Sequence, residues 1–254
     1  MDSQFSTDFP ATLPRLGVLG GMGPMATIDF LRKLVLATPA QRDQDHIPLV
    51  VRFCAEVPDR TEALTGRGAS PRDALIAAAR ELAAAGARAL AMPCNTAHVW
   101  HDAIAEALPS LPFLHIVDGV VDELAAHQSA GPIGLLATSG TLRAQIYQSR
   151  ARNLSWLEPT TDELERLVMP GIRAVKASRQ TEAHALLNEA ARTLVARGAR
   201  AVVMGCTEVP LALEPLAQSE RQIGVPLIDS NAALARGCVA WAQAAARNTA
   251  TACA

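Results

Sequence analysis

Residues 78–94 read AARELAAAGARALAMPC, and residues 190–206 read AARTLVARGARAVVMGC. At a constant offset of 112, eleven of the seventeen positions are identical, and the matches include a Gly, a Met and the final Cys. Each copy predicts an Ala-rich helix that ends at a Gly, followed by a short apolar strand that delivers a cysteine. An ungapped repeat of this kind indicates two similar α/β units in one chain.

The sequence around the first copy continues the same alternation. Apolar runs at 16–19, 48–53 and 89–92 predict strands, and the stretches at 25–37 and 74–85 predict helices. Apolar strands separated by helices are typical of parallel sheets that are covered on both faces. The predicted fold is therefore α/β, with two similar Rossmann-like lobes, mostly parallel sheets and an active site in the cleft between them, where the strands end.

The two halves also contain similar segments outside the repeat, and these similarities define the expected domains. Gly17-Val18-Leu19 precedes a Gly-rich turn, as Gly134-Leu135-Leu136 does in the second half. Pro112-Phe113-Leu114 follows the first copy, as Pro226-Leu227-Ile228 follows the second. We expect a disordered leader at 1–14, a first lobe at 15–111 completed by a final helix at 231–247, and a second lobe at 112–230.

Composition narrows the function classes. The chain has 254 residues, half of them apolar, a net charge of −2 and no run of Lys or Arg, so we expect neither a nucleic-acid nor a membrane partner. Its five cysteines are an odd number, and no pair has C-x-x-C spacing. With no secretory signal, this pattern disfavours a disulfide framework or a metal site and predicts a soluble, cytoplasmic protein.

Polar residues follow the cysteine at the end of each repeat copy. Asn95-Thr96-Ala97-His98 follows Cys94, and Thr207-Glu208-Val209-Pro210 follows Cys206. Both segments resemble helix starts, with Asn95 or Thr96 as a cap and Pro210 at an early helical position. A helix N-terminus lowers the pKa of a thiol from its reference value of about 8.5, which makes the thiolate a competent base near neutral pH.

A single cysteine at a strand end is more often a small core residue than a catalytic one. Two thiols at equivalent places in two lobes suit one reaction in particular, the inversion of a stereocentre. One group removes the Cα proton from one face, and a second group returns a proton to the other face. A nucleophile and its base would instead need distinct partners, such as a Cys–His set.

Several segments resemble the aspartate/glutamate racemase family, and most closely its cofactor-independent aspartate racemase branch. The resemblance covers nearly the whole chain after the leader, and the two cysteine motifs are its most specific part. The matching segments are GVLGGMGPMAT at 17–27, TPAQRDQDH at 38–46, VPDRT at 57–61, MPCNTAH at 92–98, GLLATSGT at 134–141, GCTEVPL at 205–211 and VPLID at 225–229.

The resemblance implies that Cys94 and Cys206 are the two acid/base groups and that Arg60 and Lys176 hold the substrate carboxylates. Arg offers a planar clamp and Lys a point charge, and neutralising a carboxylate also acidifies Cα. The family pattern further implies a small amino-acid substrate, no cofactor and a homodimer, and no metal site is apparent in the sequence. The expected pocket also includes residues from the cysteine motifs and the two glycine-containing turns: Asn95, Thr96, Thr207, Thr138 and Met22.

One departure from the family pattern concerns the substrate. Aspartate racemases tend to place Asn residues before the Pro-Asp-Arg element, whereas this chain has Phe53-Cys54-Ala55. If these positions line the pocket, the site is less polar than in the family. His98 and Glu208 are candidates for polarising the adjacent thiols, against ordinary packing or capping roles.

Other functions remain open at this point. A maleate isomerase or hydantoin racemase would share the superfamily and both cysteines, whereas the related decarboxylases keep only one. A two-lobed binding protein for an anionic ligand explains the lobes but not the thiols. A redox switch that joins Cys94 to Cys206 is a further alternative. The glycines do not spell G-x-G-x-x-G, so dinucleotide binding is rejected.

Overall fold

The computed structural model describes residues 13–127, 131–214 and 216–252, so most of the expected leader, residues 1–12, lies outside the described residues. The described strands are β1 (Leu16–Gly20), β2 (Leu49–Phe53), β3 (Ala89–Ala91), β4 (Phe113–Leu114), β5 (Ile133–Leu136), β6 (Trp156–Leu157), β7 (Ala201–Met204) and β8 (Leu227–Asp229). They form two four-stranded sheets with the orders β2-β1-β3-β4 and β6-β5-β7-β8. Every pairing is parallel, which confirms the predicted α/β class.

Helices connect and cover the strands. The α-helices are α1 (Pro24–Ala37), α2 (Arg60–Leu64), α3 (Arg72–Ala84), α4 (His101–Ala107), α5 (Ile116–Ala126), α6 (Ser139–Ala144), α7 (Ile146–Arg150), α8 (Thr161–Glu163), α9 (Met169–Lys176), α10 (Gln180–Ala196), α11 (Val209–Leu213), α12 (Leu216–Ile223) and α13 (Ser230–Ala252). Short 3-10 helices lie at Asp43–Asp45 and Thr96–Trp100, and a π-helical turn at Leu164–Val168 leads into α9.

The repeat forms equivalent parts of the two sheets. Leu16 of β1 pairs with Ala89 of β3, and Ile133 of β5 pairs with Ala201 of β7 in the same register. In each copy a helix, α3 or α10, precedes the strand that leads to the cysteine. The two cysteines therefore leave the carboxyl ends of equivalent central strands.

The expected boundary at residue 112 is wrong for β4. Phe113 and Leu114 pair with Leu90 and Ala91 of β3, so they complete the first sheet rather than begin the second. The physical reason is that a short apolar strand lowers its free energy by pairing with the open edge of the nearest sheet, as β8 does in the second lobe.

One apolar core joins the two sheets. Inward-facing residues of β1, β3, β5 and β7 pack in the same cluster as α5 and α13. Helix α13 packs on α1 of the expected first lobe and on α5 of the expected second lobe, and it extends beyond the expected range. Two further clusters cover the outer faces of the sheets. A continuous core fixes how the lobes meet.

Each lobe presents a glycine-containing turn to the cysteine motif of the other lobe. A Cβ added to Gly23 would lie 2.9 Å from Glu208 Oε1, and one added to Gly140 would lie 3.1 Å from Thr96 Cγ2. Gly21 has a φ of +89°, and a Cβ there would lie 2.4 Å from Cys54 N. Gly21 therefore needs to be glycine, because its φ is positive and the backbone of Cys54 leaves no space for a Cβ.

Within the described part of the chain, no helix has the length and apolar character that crossing a membrane requires.

Candidate active site

Cys94 and Cys206 line the same closed cavity between the lobes. Both thiols are buried, with 6% and 5% of their residue surface exposed. The cavity volume is about 20 Å³, which is room for about one water molecule. Its walls come from both sheets and consist of Met22, Asp59, Arg60, Thr61, Cys94, Asn95, Thr96, Thr138, Lys176, Cys206, Thr207 and Glu208. All nine site residues that the sequence and the family resemblance predicted are in this set.

The backbone after each cysteine differs from the expected α-helix start. Cys94 leads into the 3-10 helix at Thr96–Trp100, and the Asn95 side chain makes no capping hydrogen bond there. The predicted cap at Asn95 or Thr96 is therefore wrong, because both side chains are hydrogen bonded to the second lobe. After Cys206 the five-residue helix α11 carries Pro210 in its first turn, as predicted.

The predicted lowering of the thiol pKa values is also wrong for this closed site. Burial raises the pKa of Cys94, although the Arg60 guanidinium and a hydrogen bond from the Ala97 N–H oppose it. Burial and the neighbouring carboxylate raise the pKa of Cys206 well above its usual value. Desolvation disfavours the thiolate more than one short helical turn favours it. Both thiols are therefore protonated in the closed cleft.

Glu208 is in direct contact with the second thiol. Cys206 Sγ donates a hydrogen bond to Glu208 Oε2 at 3.0 Å, and the Thr207 hydroxyl lies 3.4 Å from the same oxygen. Glu208 is buried, and its other oxygen faces Gly23 of the first lobe. Of the two candidates for polarising a thiol, Glu208 has the required contact.

His98 contacts the backbone rather than a thiol. Ile116 N donates to His98 Nε2 at 3.1 Å, so Nδ1 carries the ring hydrogen and donates to the Cys94 carbonyl at 2.9 Å. Burial lowers the pKa of His98 to about 3, so the ring is neutral. Its contacts place it as a packed residue that holds the Cys94 carbonyl.

Two cationic side chains reach the cavity. Asp59 caps α2 by accepting hydrogen bonds from Thr61 N at 2.8 Å and Glu62 N at 2.9 Å, which fixes Arg60 at the first helical position. Arg60 Nη1 donates to the carbonyls of Val57 and Pro58. This leaves the remaining N–H groups of the guanidinium for other partners.

Lys176 ends α9 at the rim of the cavity, where it belongs to the lining and is exposed to solvent. Partial burial lowers the pKa of Lys176, but the charges of Glu208, Cys206 and Cys94 outweigh it, and the net pKa is raised. Among the described residues, neither Lys176 nor Arg60 has a carboxylate within ion-pair distance. Two cations without an anionic partner suit a ligand that carries carboxylates.

Three threonine hydroxyls join the lobes beside Cys94. Thr96 Oγ1 lies 2.9 Å from both Thr138 Oγ1 and Thr141 Oγ1, and Thr138 donates to Thr141 at 3.0 Å. Thr138 also caps α6 by accepting from Thr141 N. Thr138 thus both caps α6 and forms part of the cavity wall.

The departure at 53–55 does not reach the cavity. Cys54 is buried, Phe53 and Ala55 are exposed, and none of the three is among the lining residues. Sequence reasoning missed Asp59 and Thr61 as lining residues, although both lie beside Arg60 in the quoted VPDRT motif. Within the described residues, no group of three or more His, Cys, Asp or Glu side chains is arranged to hold a metal ion.

The fold and the site define a two-lobed α/β enzyme with one thiol from each lobe in a shared cleft. A family model described as Asp/Glu/Hydantoin racemase matches residues 19–238. The chain therefore belongs to this racemase family, which confirms the resemblance of the motifs. It is an isomerase, a racemase that acts on small amino-acid substrates.

Relatives with known names or structures extend over nearly the whole chain. The broad-specificity amino-acid racemase RacX of Bacillus subtilis is 28% identical over 233 residues, which are 88% of this chain and 96% of RacX. The aspartate racemase structure from Picrophilus torridus is 30% identical with a TM-score of 0.78, covering 91% of this chain and 94% of that one. A Francisella tularensis glutamate racemase in complex with D-glutamate has a TM-score of 0.66 at 16% identity, covering 91% and 81%, and supports the fold alone.

Proposed function

We propose that the chain racemises aspartate, or the closely related glutamate, by transferring protons through Cys94 and Cys206 without a cofactor. One observation carries the proposal: thiols from equivalent strand ends of two lobes line one cavity together with Arg60 and Lys176. The resemblance to aspartate racemases and the 30% identity to one of solved structure support the choice of substrate.

In the proposed reaction one cysteine, as thiolate, takes the Cα proton, and the opposite cysteine, as thiol, donates its own proton to the other face. The Cα–H bond breaks as an S–H bond forms, and a new Cα–H bond forms as the second S–H bond breaks. The roles are reversed for the other enantiomer. Proton transfer of this kind is general acid–base catalysis with two matched groups.

Arg60 and Lys176 perform two tasks in this scheme. They neutralise the substrate carboxylates, which stabilises the carbanion that forms at Cα. They also lower the pKa of Cys94, and Lys176 lowers that of Cys206, against the burial that raises both. The cations therefore favour the thiolate that starts the reaction.

We infer that substrate entry opens the cleft at the glycine-containing turns, while the apolar core that joins the two sheets stays intact. A cavity of about 20 Å³ is far smaller than an amino acid. The contacts to be released are those between the glycine-containing turns and the opposite cysteine motifs, such as Gly23 with Glu208 and Gly140 with Thr96. Closure around the bound substrate then excludes water from the carbanion.

A second candidate is racemisation of a wider range of amino acids. The apolar Met22 lines the cavity among polar groups, and one relative over nearly the full length is named as a broad-specificity racemase. A panel of L-amino acids distinguishes the two. Activity confined to aspartate and glutamate supports the first candidate, and comparable activity with neutral amino acids supports the second.

The test of the function is incubation with L- or D-aspartate in deuterated buffer without added cofactor. We expect optical inversion together with loss of the Cα proton signal. Cys94→Ser and Cys206→Ser each remove one acid/base group and reduce inversion about 10²–10⁴-fold. Cys238→Ser, which changes a buried cysteine of α13 outside the cavity, is the control and keeps wild-type activity. Absence of exchange with every amino acid tried rules out a racemase.

We also propose a homodimer, which the family resemblance implies. The supporting feature is a set of exposed apolar side chains on α1 and the edge strand β2: Met25, Ile28, Val35, Leu36, Val51 and Phe53. Exposed apolar groups on one helix and its neighbouring strand are typical of a surface covered by a second protein chain. Sedimentation of Leu36→Glu against the wild type tests it. The cytoplasmic location stays a prediction.

A further inference from the structure

Asn95, the residue after Cys94, is held by two groups of the second lobe. Tyr147 donates its phenol O–H to Asn95 Oδ1 at 2.6 Å, and Asn95 Nδ2 donates to Ser230 Oγ at 3.0 Å. Ser230 in turn donates to the carbonyl of Met204 at 2.8 Å. This buried chain of hydrogen bonds begins beside the first thiol and ends two residues before Cys206.

The ring of Tyr147 has a fixed place against the second strand end. Helix α7 starts after Gln145, which has a φ of 51° and separates it from α6. The phenol ring packs edge-on against Trp156 with centroids 5.3 Å apart. On its other side, a Cβ added to Gly205 would lie 3.3 Å from Tyr147 Cε2. Tyr147 is thus wedged against the residue that precedes Cys206.

The polar atoms of this network are buried and hydrogen bonded to each other, and a buried polar atom without a partner costs free energy of folding. Tyr147, Ser230 and Asn95 are each at most 2% exposed. Burial raises the pKa of Tyr147, with a smaller opposing effect of Ser230, so the phenol remains a donor. Buried networks whose groups are paired are rigid, and removing one member leaves an unpaired polar atom.

We propose that Tyr147 and Ser230 are positioning residues that set the separation and alignment of the two thiols. The proposal rests on the proposed racemase function and goes beyond it, because neither residue is among those that line the cavity. They act through Asn95, which lies next to Cys94, and through Met204 and Gly205, which precede Cys206. The network therefore joins the two strand ends directly.

Alignment of the thiols decides the fate of the carbanion. When both thiols face Cα, a proton arrives from the second thiol as soon as the first has taken one, and each deuterium incorporated accompanies one inversion. When the second thiol is displaced, the first has time to exchange its proton with solvent and to return a deuteron to the same face. The Cα–H bond is then replaced by Cα–D without inversion. The ratio of deuteration to inversion thus reports the alignment.

The experiment compares Tyr147→Phe and Ser230→Ala with the wild type in deuterated buffer. Tyr147→Phe keeps the ring and removes only the donor to Asn95. We expect kcat to fall about 10–100-fold, as for a misplacement on the order of 1 Å, with little change in KM because both cations remain. The ratio of deuteration to inversion rises severalfold in both variants.

Ser219→Ala is the matched control. Ser219 is a buried serine whose hydroxyl donates to the carbonyl of Leu213 at 2.7 Å, inside the second lobe and apart from the network. The Ser219→Ala variant loses a buried hydrogen bond from a serine to a carbonyl, as Ser230→Ala does, and therefore measures the effect of general destabilisation. We expect it to keep the wild-type ratio of deuteration to inversion.

Wild-type kcat and ratio in Tyr147→Phe and Ser230→Ala, or an equal change in Ser219→Ala, overturn the positioning role. A wild-type chain that neither exchanges nor inverts any amino acid is a different result, because there the racemase proposal itself fails.

Discussion

The Cys206 thiol donates a hydrogen bond to Glu208 Oε2 at 3.0 Å. Its counterpart Cys94 has a different electrostatic environment, in which the Arg60 guanidinium and the Ala97 N–H oppose the rise in thiol pKa that burial causes. The repeat is therefore symmetric in its backbone and asymmetric in its charges. In the closed site Cys206 holds its proton more firmly than Cys94, so under the proposed mechanism we expect Cys94 to lose its proton first.

Replacing Glu208 with Gln removes the charge and keeps a hydrogen-bond acceptor. We expect the pKa of Cys206 to fall, because the Glu208 charge raises it. The pH dependence of iodoacetamide labelling at Cys206, located by peptide mass, moves to lower pH. Glu214→Gln, which changes a carboxylate paired with Arg32 away from the cavity, is the control. An unchanged Cys206 profile in Glu208→Gln contradicts the assignment.

The same variant has a kinetic signature. The two enantiomers are equally stable, so kcat/KM must stay equal for both directions whatever the substitution does. Because Glu208 acts on one thiol more than the other, kcat and KM change unequally for L- and D-substrate while their ratio remains matched. Equal changes of kcat in both directions would mean that Glu208 acts on the two thiols alike.

Lys176 and Lys33 are the two lysines of the chain. Lys176→Met removes a charge at the cavity rim, and we expect KM for aspartate to rise about 10–100-fold, as for the loss of a charge-assisted hydrogen bond. The pKa values of both thiols also rise, because Lys176 lowers them. Arg173→Met, on an exposed position of the same helix, leaves KM unchanged. A wild-type KM in Lys176→Met rules out its role in binding.

The sequence predicted the backbone of the site better than its electrostatics. The repeat carries local information, namely the helix, the Gly and the apolar strand, and these place Cys94 and Cys206 at equivalent strand ends. The thiol pKa values depend on burial, which arises only when the lobes close on each other. A rule for helix N-termini could not include that desolvation, so it gave the wrong direction.

The sequence also could not predict contacts between residues that are far apart in the chain, because such contacts leave no local pattern. Tyr147 and Asn95 are separated by 52 positions and share no motif, and the only signal for Tyr147 is that it is the single tyrosine. The sequence placed Phe113 and Leu114 at the start of the second lobe, because a parallel pairing with β3 gives no local sequence signal. The site residues in quoted motifs were found since each lies within a few positions of a cysteine, a glycine or a proline.

His98 provides a prediction about acid stability. Its pKa is about 3 in the folded chain and near 6.5 when unfolded, so below pH 6.5 the unfolded state binds a proton that the folded state does not. The free energy of unfolding therefore falls as the pH drops from about 6.5 towards 3, and burial of His115 adds to this in the same direction. Urea unfolding across this range measures the slope. His98→Gln reduces the slope, whereas His127→Gln, at an exposed position, keeps it.

Lys33 of α1 bridges two buried carboxylates, with Nζ 2.5 Å from Asp29 Oδ2 and 2.5 Å from Asp229 Oδ2 at the end of β8. Lys33→Met leaves both carboxylates without this partner, and we expect a loss of about 3–5 kcal/mol in the free energy of unfolding. Arg32→Met also removes a partner of Asp29, but the Arg32 side chain is half exposed, so its loss costs about 1 kcal/mol or less.

Alkaline pH tests the same bridge without a substitution. Burial lowers the pKa of Lys33, but Asp229 and Asp29 outweigh it, so the folded pKa is raised. The stabilisation by Lys33 is therefore complete below its unfolded pKa of about 10.4 and is lost as the pH rises through the folded value. Urea unfolding from pH 8 to 11 measures this loss in the wild type. The free energy of unfolding of Lys33→Met lacks the part of this pH dependence that comes from Lys33. Equal costs for Lys33→Met and Arg32→Met, with parallel alkaline profiles, would show that the bridge between α1 and β8 contributes no more than a surface ion pair.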